Sequence, residues 1–70
     1  MNRESVQSSM IVSLGYDANS STLEVEFNSG AVWQYYEVPE NVYYDMMNSG
    51  SLGKFFHSNI KEQYREAQVG

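Results

Sequence analysis

Thr22-Leu23-Glu24-Val25-Glu26-Phe27 alternates polar and apolar residues without a break. A period of two is that of an extended strand with one face on a core and the other in water. Leu23, Val25 and Phe27 are therefore expected inside, Val25 among the least exposed residues of the chain, and Glu24 and Glu26 are expected in solvent. Downstream, Asn28-Ser29-Gly30 is a tight connection whose glycine can adopt positive φ, so Ala31 to Val38 should return antiparallel. Val32, Tyr36 and Val38 are assigned to one face of that third strand, Trp33 and Tyr35 to the other. Upstream, Asp17 to Ser21 supplies short side chains that hydrogen-bond their own backbone and hold a reversal. Before it, Met10 to Tyr16 reads as the first strand, with Val12, Leu14 and Tyr16 on one face and Ile11, Ser13 and Gly15 on the other.

Beyond the third strand the period changes. Pro39 removes a ladder donor and suits a helix start, where Glu40 meets the positive end of the dipole. A helix should run to about Asn48, its stripe Val42, Tyr43, Met46 and Met47 lying on the sheet. Asn48-Ser49-Gly50 should end it with a left-handed residue, and Ser51 can cap a second helix carrying Leu52, Phe55, Phe56, Ile60 and Tyr64 on one side. The fold class expected is α+β: a three-stranded antiparallel β-meander followed by two short α-helices packed on the sheet. The expected core is Val12, Leu14, Leu23, Val25, Phe27, Val32, Tyr36, Val38, Val42, Met46, Phe56 and Ile60. Residues 1–8, polar and without periodicity, are expected to be a disordered leader, 9–65 a single domain and 66–70 a frayed tail.

The chain has 70 residues, enough for one small core that removes about 60% of the unfolded surface from water. It has no cysteine, which excludes disulfides, thiol catalysis and cysteine-based zinc sites and fits a cytoplasmic location. Its longest apolar run, Met10-Ile11-Val12, is too short for a membrane span or a signal peptide. Four Lys and Arg against nine Asp and Glu give a net charge of -5, the opposite of a phosphate-binding footprint.

The order of signals resembles the KTSC domain family. The matching residues are Ser8, Ile11 and Leu14-Gly15-Tyr16-Asp17, then Leu23, Val25 and Phe27, Gly30, Val32, the centre Trp33-Gln34-Tyr35, Val38-Pro39, Gly53, Phe55-Phe56 and Ile60-Lys61. They span about residues 8 to 64. The family comprises short bacterial and phage proteins and a C-terminal appendage of some lysyl-tRNA synthetases, and that association implies RNA binding. Trp33 stands at the first position of the family's Tyr-x-Tyr signature and keeps a flat π-face. Gln34 stands where a basic residue is common and Lys61 where arginine is, which removes a planar fork for phosphate.

Six residues are candidates for a ligand site. Trp33 and Tyr35 share a strand face, as stacking platforms for single-stranded nucleic acid do, although a small core recruits aromatics in the same way. Residues 54 to 65 hold Lys54, Lys61 and Arg65 against Glu62 alone, so an anion would meet the second helix, with His57 beside it; three such cations are also what a solvated helix face carries. A single histidine makes neither a catalytic triad nor a metal cluster. Asp17-x-Asn19-x-Ser21 lacks the glycine and the bidentate glutamate of a calcium loop and reads as a turn. The functional expectation is a small non-enzymatic binding module without cofactor or metal, acting as a protein-interaction adaptor, with RNA or single-stranded nucleic-acid binding as the alternative. Aromatic content of 14% in so small a chain supports the protein partner, and self-association is expected for a core of this size.

Overall fold

A computed structural model describes residues 1–70. The class is α+β, with helices on one face of an antiparallel sheet, but the sheet has five strands rather than three. They are β1 (Glu4–Ser5), β2 (Ile11–Asp17), β3 (Thr22–Phe27), β4 (Val32–Tyr35) and β5 (Glu66–Gln68), adjacent in chain order. The two added strands come from the segments expected to be disordered or frayed. Two or three residues are too few to show an alternation; they are ordered because each segment meets a ladder that the central meander leaves open, β1 on β2 and β5 on β4.

The registers fix two faces. Tyr16 pairs with Leu23 and Leu23 with Tyr35; Leu14 pairs with Val25 and Val25 with Trp33. These residues share the covered face, with Leu14, Leu23 and Val25 fully buried. Gly15, Glu24 and Gln34 line up one row over on the open face. Both hairpin turns are built as their residues predict. The Asp17 carboxylate accepts from the Asn19 N–H and the Ser20 hydroxyl, each at 3.0 Å, and Gly30 takes φ 95° in the second turn.

Two backbone irregularities overturn parts of the expected core. The β2–β3 register shifts between Ile11 and Ser13, so one extra residue reverses the alternation. Ile11 is consequently buried and Val12, expected inside, is 41% exposed. On β4 the core face is Trp33 and Tyr35, and Val32 and Tyr36 lie half-buried on the opposite side. Glu37 then adopts φ 59°, which breaks the alternation and returns Val38 to full burial.

Helix α1 (Glu40–Met47) starts after Pro39 and sinks Met46 into the core, while Tyr43 stacks on Tyr16 with centroids 5.2 Å apart. It closes without a left-handed glycine: Asn48 at φ -97° bonds back to the last turn, and Gly50 keeps negative φ. Ser51 caps α2 (Leu52–Phe55), its hydroxyl accepting the Lys54 N–H at 3.3 Å. The helix then widens into a π-helical turn, Phe56–Ile60, and stops there rather than at Tyr64. Glu62, at φ 65°, bends the chain toward β5.

Candidate binding groove

The π-helical turn sets the geometry beside the covered face. Phe56 is driven edge-on against both Phe27 and Tyr35, with centroids at 5.3 and 5.5 Å, and the following residue, His57, is left exposed at the rim. Such turns recur at functional sites because the extra residue re-aims its neighbours. Between helix and sheet lies an open groove of about 300 Å³. Its floor is Met10, Phe27, Trp33, Tyr35 and Phe56; His57, Lys61 and Glu66 line the rest.

Four of the six candidate residues thus meet in one place: Trp33, Tyr35, His57 and Lys61. Tyr35 is only 3% exposed and belongs mainly to the core, whereas Trp33 is half-buried and keeps part of its ring accessible. Burial, reinforced by the Glu66 charge, pushes the Tyr35 phenol up to about 12, so it stays protonated at neutral pH. Arg65 and Lys54 stand elsewhere. The Arg65 guanidinium lies 6.0 Å from the centroid of the Tyr36 ring, on the other side of the sheet, and Lys54 is exposed on α2. The sequence reading missed Glu66 and Met10 as groove residues. Glu66 was hidden because β5 has no pattern, Met10 because it precedes the β2 bulge.

A second constellation, also missed, occupies the open face. The Arg3 guanidinium pairs with the Glu24 carboxylate. Its Nε also donates to the Ser13 hydroxyl at 2.9 Å, and Ser13 donates to Glu26 Oε1 at 2.8 Å. The Gln34 amide donates to Glu24 Oε1 at 2.8 Å, and the Tyr36 hydroxyl donates to Gln34 Oε1 at 3.1 Å. Glu24, expected in water, is 6% exposed. Burial pushes its carboxyl up, but hydrogen bonds from Gln34 and Arg3 and the Arg3 charge outweigh that and hold it below the usual carboxylate range. The sequence signal was the row Gly15, Glu24, Gln34, legible only with the register in hand.

The largest cavity, about 430 Å³, lies between the β1–β2 connection and the α1–α2 turn and is lined mainly by serines, glycines and Gln7, with no titratable side chain. No three His, Asp or Glu side chains gather as metal ligands, and no helix is long and apolar enough to cross a membrane.

The sequence matches the KTSC domain over residues 7–64. The chain belongs to the KTSC domain family. A KTSC domain protein of Yersinia pestis has a crystal structure that superposes with a TM-score of 0.96 at 36% identity, covering 99% of this chain and 97% of that one. An uncharacterized protein of Stutzerimonas stutzeri strain A1501 is 44% identical over 64 residues, 91% of this chain and 90% of that protein. A lysine–tRNA ligase of Nostoc sp. is 35% identical over 63 residues, which is 90% of this chain but 11% of the ligase. The match thus covers a small part of the ligase's own length.

Proposed function

We propose that this KTSC domain is a small non-enzymatic binding module, a protein-interaction adaptor that takes an apolar side chain of its partner into the groove beside the π-helical turn. The observation that carries the reading is the groove itself. Met10, Phe27, Trp33 and Phe56 give an apolar floor with a half-buried tryptophan, the residue type most enriched at binding hot spots. His57 and Lys61 on one side fit a partner carrying a carboxylate next to its apolar anchor. The occurrence of the domain as 11% of a lysine–tRNA ligase supports a role as an attachable module. It also favours the second reading, RNA binding. Against that reading stand Glu66 in the groove, the burial of Tyr35 and the net charge of -5, each of which weakens a stacking site for a polyanion.

Affinity capture with the whole chain, with and without nuclease and beside Trp33→Ala, separates the two. A protein retained through nuclease treatment and lost with Trp33→Ala is the expected result. Loss of all bound material on nuclease treatment would transfer the groove to RNA, and retention of the same protein by Trp33→Ala would remove the groove from the interaction.

A further inference from the structure

The open face of the sheet is closed by the chain's own first residues. Arg3 reaches Glu24 and Ser13, and the Ser5–Ser13 and Glu4–Leu14 pairs continue the contact as β1. The segment lies so close that a Cβ on Gly15 would sit 2.6 Å from the Asn2 carbonyl oxygen and 3.0 Å from Arg3 Cγ. Gly15 is thus a seat for backbone, and φ at that residue is not positive, so closeness alone calls for glycine. The attachment is nevertheless modest: two ladder pairs, one backbone bond from Val6 to Val12, the partly buried Val6 at its end, the close approach of Met1 and Asn2 to Gly15, and one guanidinium. Segments held by so few bonds open at far lower free energy than the core. Beneath Arg3 lie the two carboxylates Glu24 and Glu26, with Ser13 and Gln34; Arg3 is the only side-chain cation paired with them, and the Met1 amino group adds its charge to the field at Glu24.

We propose that residues 1–5 form an exchangeable strap, clasped by Arg3, and that its release opens a second binding face for an arginine-bearing segment of a partner protein. The charge complementarity is already displayed by Arg3: a guanidinium between Glu24 and Glu26, oriented by the Ser13 hydroxyl. The partner's arginine replaces Arg3 and keeps Glu24 paired, so the carboxylate is never left buried alone. This surface lies on the opposite side of the sheet from the groove and is independent of it.

Two measurements on the full chain test the strap. Trypsin cleavage after Arg3 reads its opening, since cleavage follows the open population when reclosure is fast. Gly15→Ala, which removes the seat and leaves every charge in place, and Glu24→Gln, which removes the clasp and leaves the seat, should each speed that cut about tenfold or more. The melting temperature of each variant shows that the rest of the domain is folded. A cut no faster than in the unaltered chain in both folded variants overturns the strap. The second measurement uses Arg3→Gln with a synthetic peptide of residues 1–5 and the same peptide with glutamine at its third position. The arginine peptide should shift the amide signals of Gly15, Glu24 and Gln34 and the glutamine peptide should not. Equal shifts with both, or with neither, overturn the arginine site. A concentration-dependent dimer in sedimentation of the unaltered chain would give the face to a second copy instead and overturn the partner assignment.

Discussion

The two faces of the sheet are held by different physics. On the covered face Leu14, Leu23 and Val25 meet Met46 and Ile60, all fully buried, and the binding is non-directional apolar contact. On the open face, across the same backbone, Arg3, Ser13, Glu24, Gln34 and Tyr36 form a hydrogen-bonded chain in which each partner has one correct geometry. The first kind of surface tolerates imprecision and is written in the sequence as periodicity. The second depends on which residues the register places side by side, and no local pattern announces it. One face therefore carries a groove with an apolar floor, while the other is sealed by a segment of the chain.

The sharpest way to break the covered face is Leu14→Ala. Leu14 is fully buried at the centre of β2, and deleting its side chain removes transferred apolar area and leaves a cavity, so a loss of about 2–5 kcal/mol is expected in urea denaturation. A core of this size rarely supplies more than about 3–5 kcal/mol, so the variant should lose most of its stability and its urea midpoint should fall steeply. A loss below about 1 kcal/mol would mean that the covered face is not the main source of stability.

Glu24→Gln probes the open face and has a smaller effect. It exchanges a charge-assisted pair with Arg3 for a neutral contact, and about 1–3 kcal/mol should be lost at neutral pH. The dependence on pH has a fixed sign. The folded carboxyl of Glu24 lies below its unfolded value, so its contribution is fully present above the unfolded value of about 4.3 and is lost as pH falls through the folded one. Acid titration of stability should be shallower in Glu24→Gln than in the unaltered chain over that window. Equal slopes would show that the Gln34 and Arg3 contacts that hold the Glu24 carboxyl down do not form in solution. Combining the change with Arg3→Gln in a double-mutant cycle isolates the pair: strong non-additivity is expected because the two groups touch.

These contrasts also mark how far the chain could be read before its structure. The meander, both turns, α1 and the Ser51 cap were legible because alternation, turn chemistry and capping act within a few residues of each other. The groove is half legible: the sequence marks Trp33, Tyr35, His57 and Lys61, but Glu66 arrives on Glu66-Ala67-Gln68, a strand too short to show a pattern and ordered by pairing with β4. Strand period alone puts Glu24 in solvent, because it assigns a face, whereas burial there depends on Arg3, more than twenty residues away, folding over it. The face of Val32 and Tyr36 is not legible because the third strand is apolar on both faces, a case in which alternation offers no preference.

The smallest expected effect tests the finest detail, the bulge in β2. A regular strand would set Val12 beside Leu14 and Tyr16 and leave Ile11 outside. The register shift between Ile11 and Ser13 inserts one residue opposite β3, so Ile11 pairs with Phe27 over the core and Val12 turns to solvent. Val12→Ser should accordingly change stability by no more than about 0.5 kcal/mol, the range of surface substitutions. Ile11→Ser should lose several times as much, since it removes a fully buried side chain and places a hydroxyl in apolar surroundings. Adjacent residues of nearly the same chemistry thus give opposite answers to one substitution, which chemical denaturation can read directly. If Val12→Ser proves the more damaging, the bulge is absent in solution and β2 runs regular through its first turn of pairing, with Ile11 on the open face beside the strap.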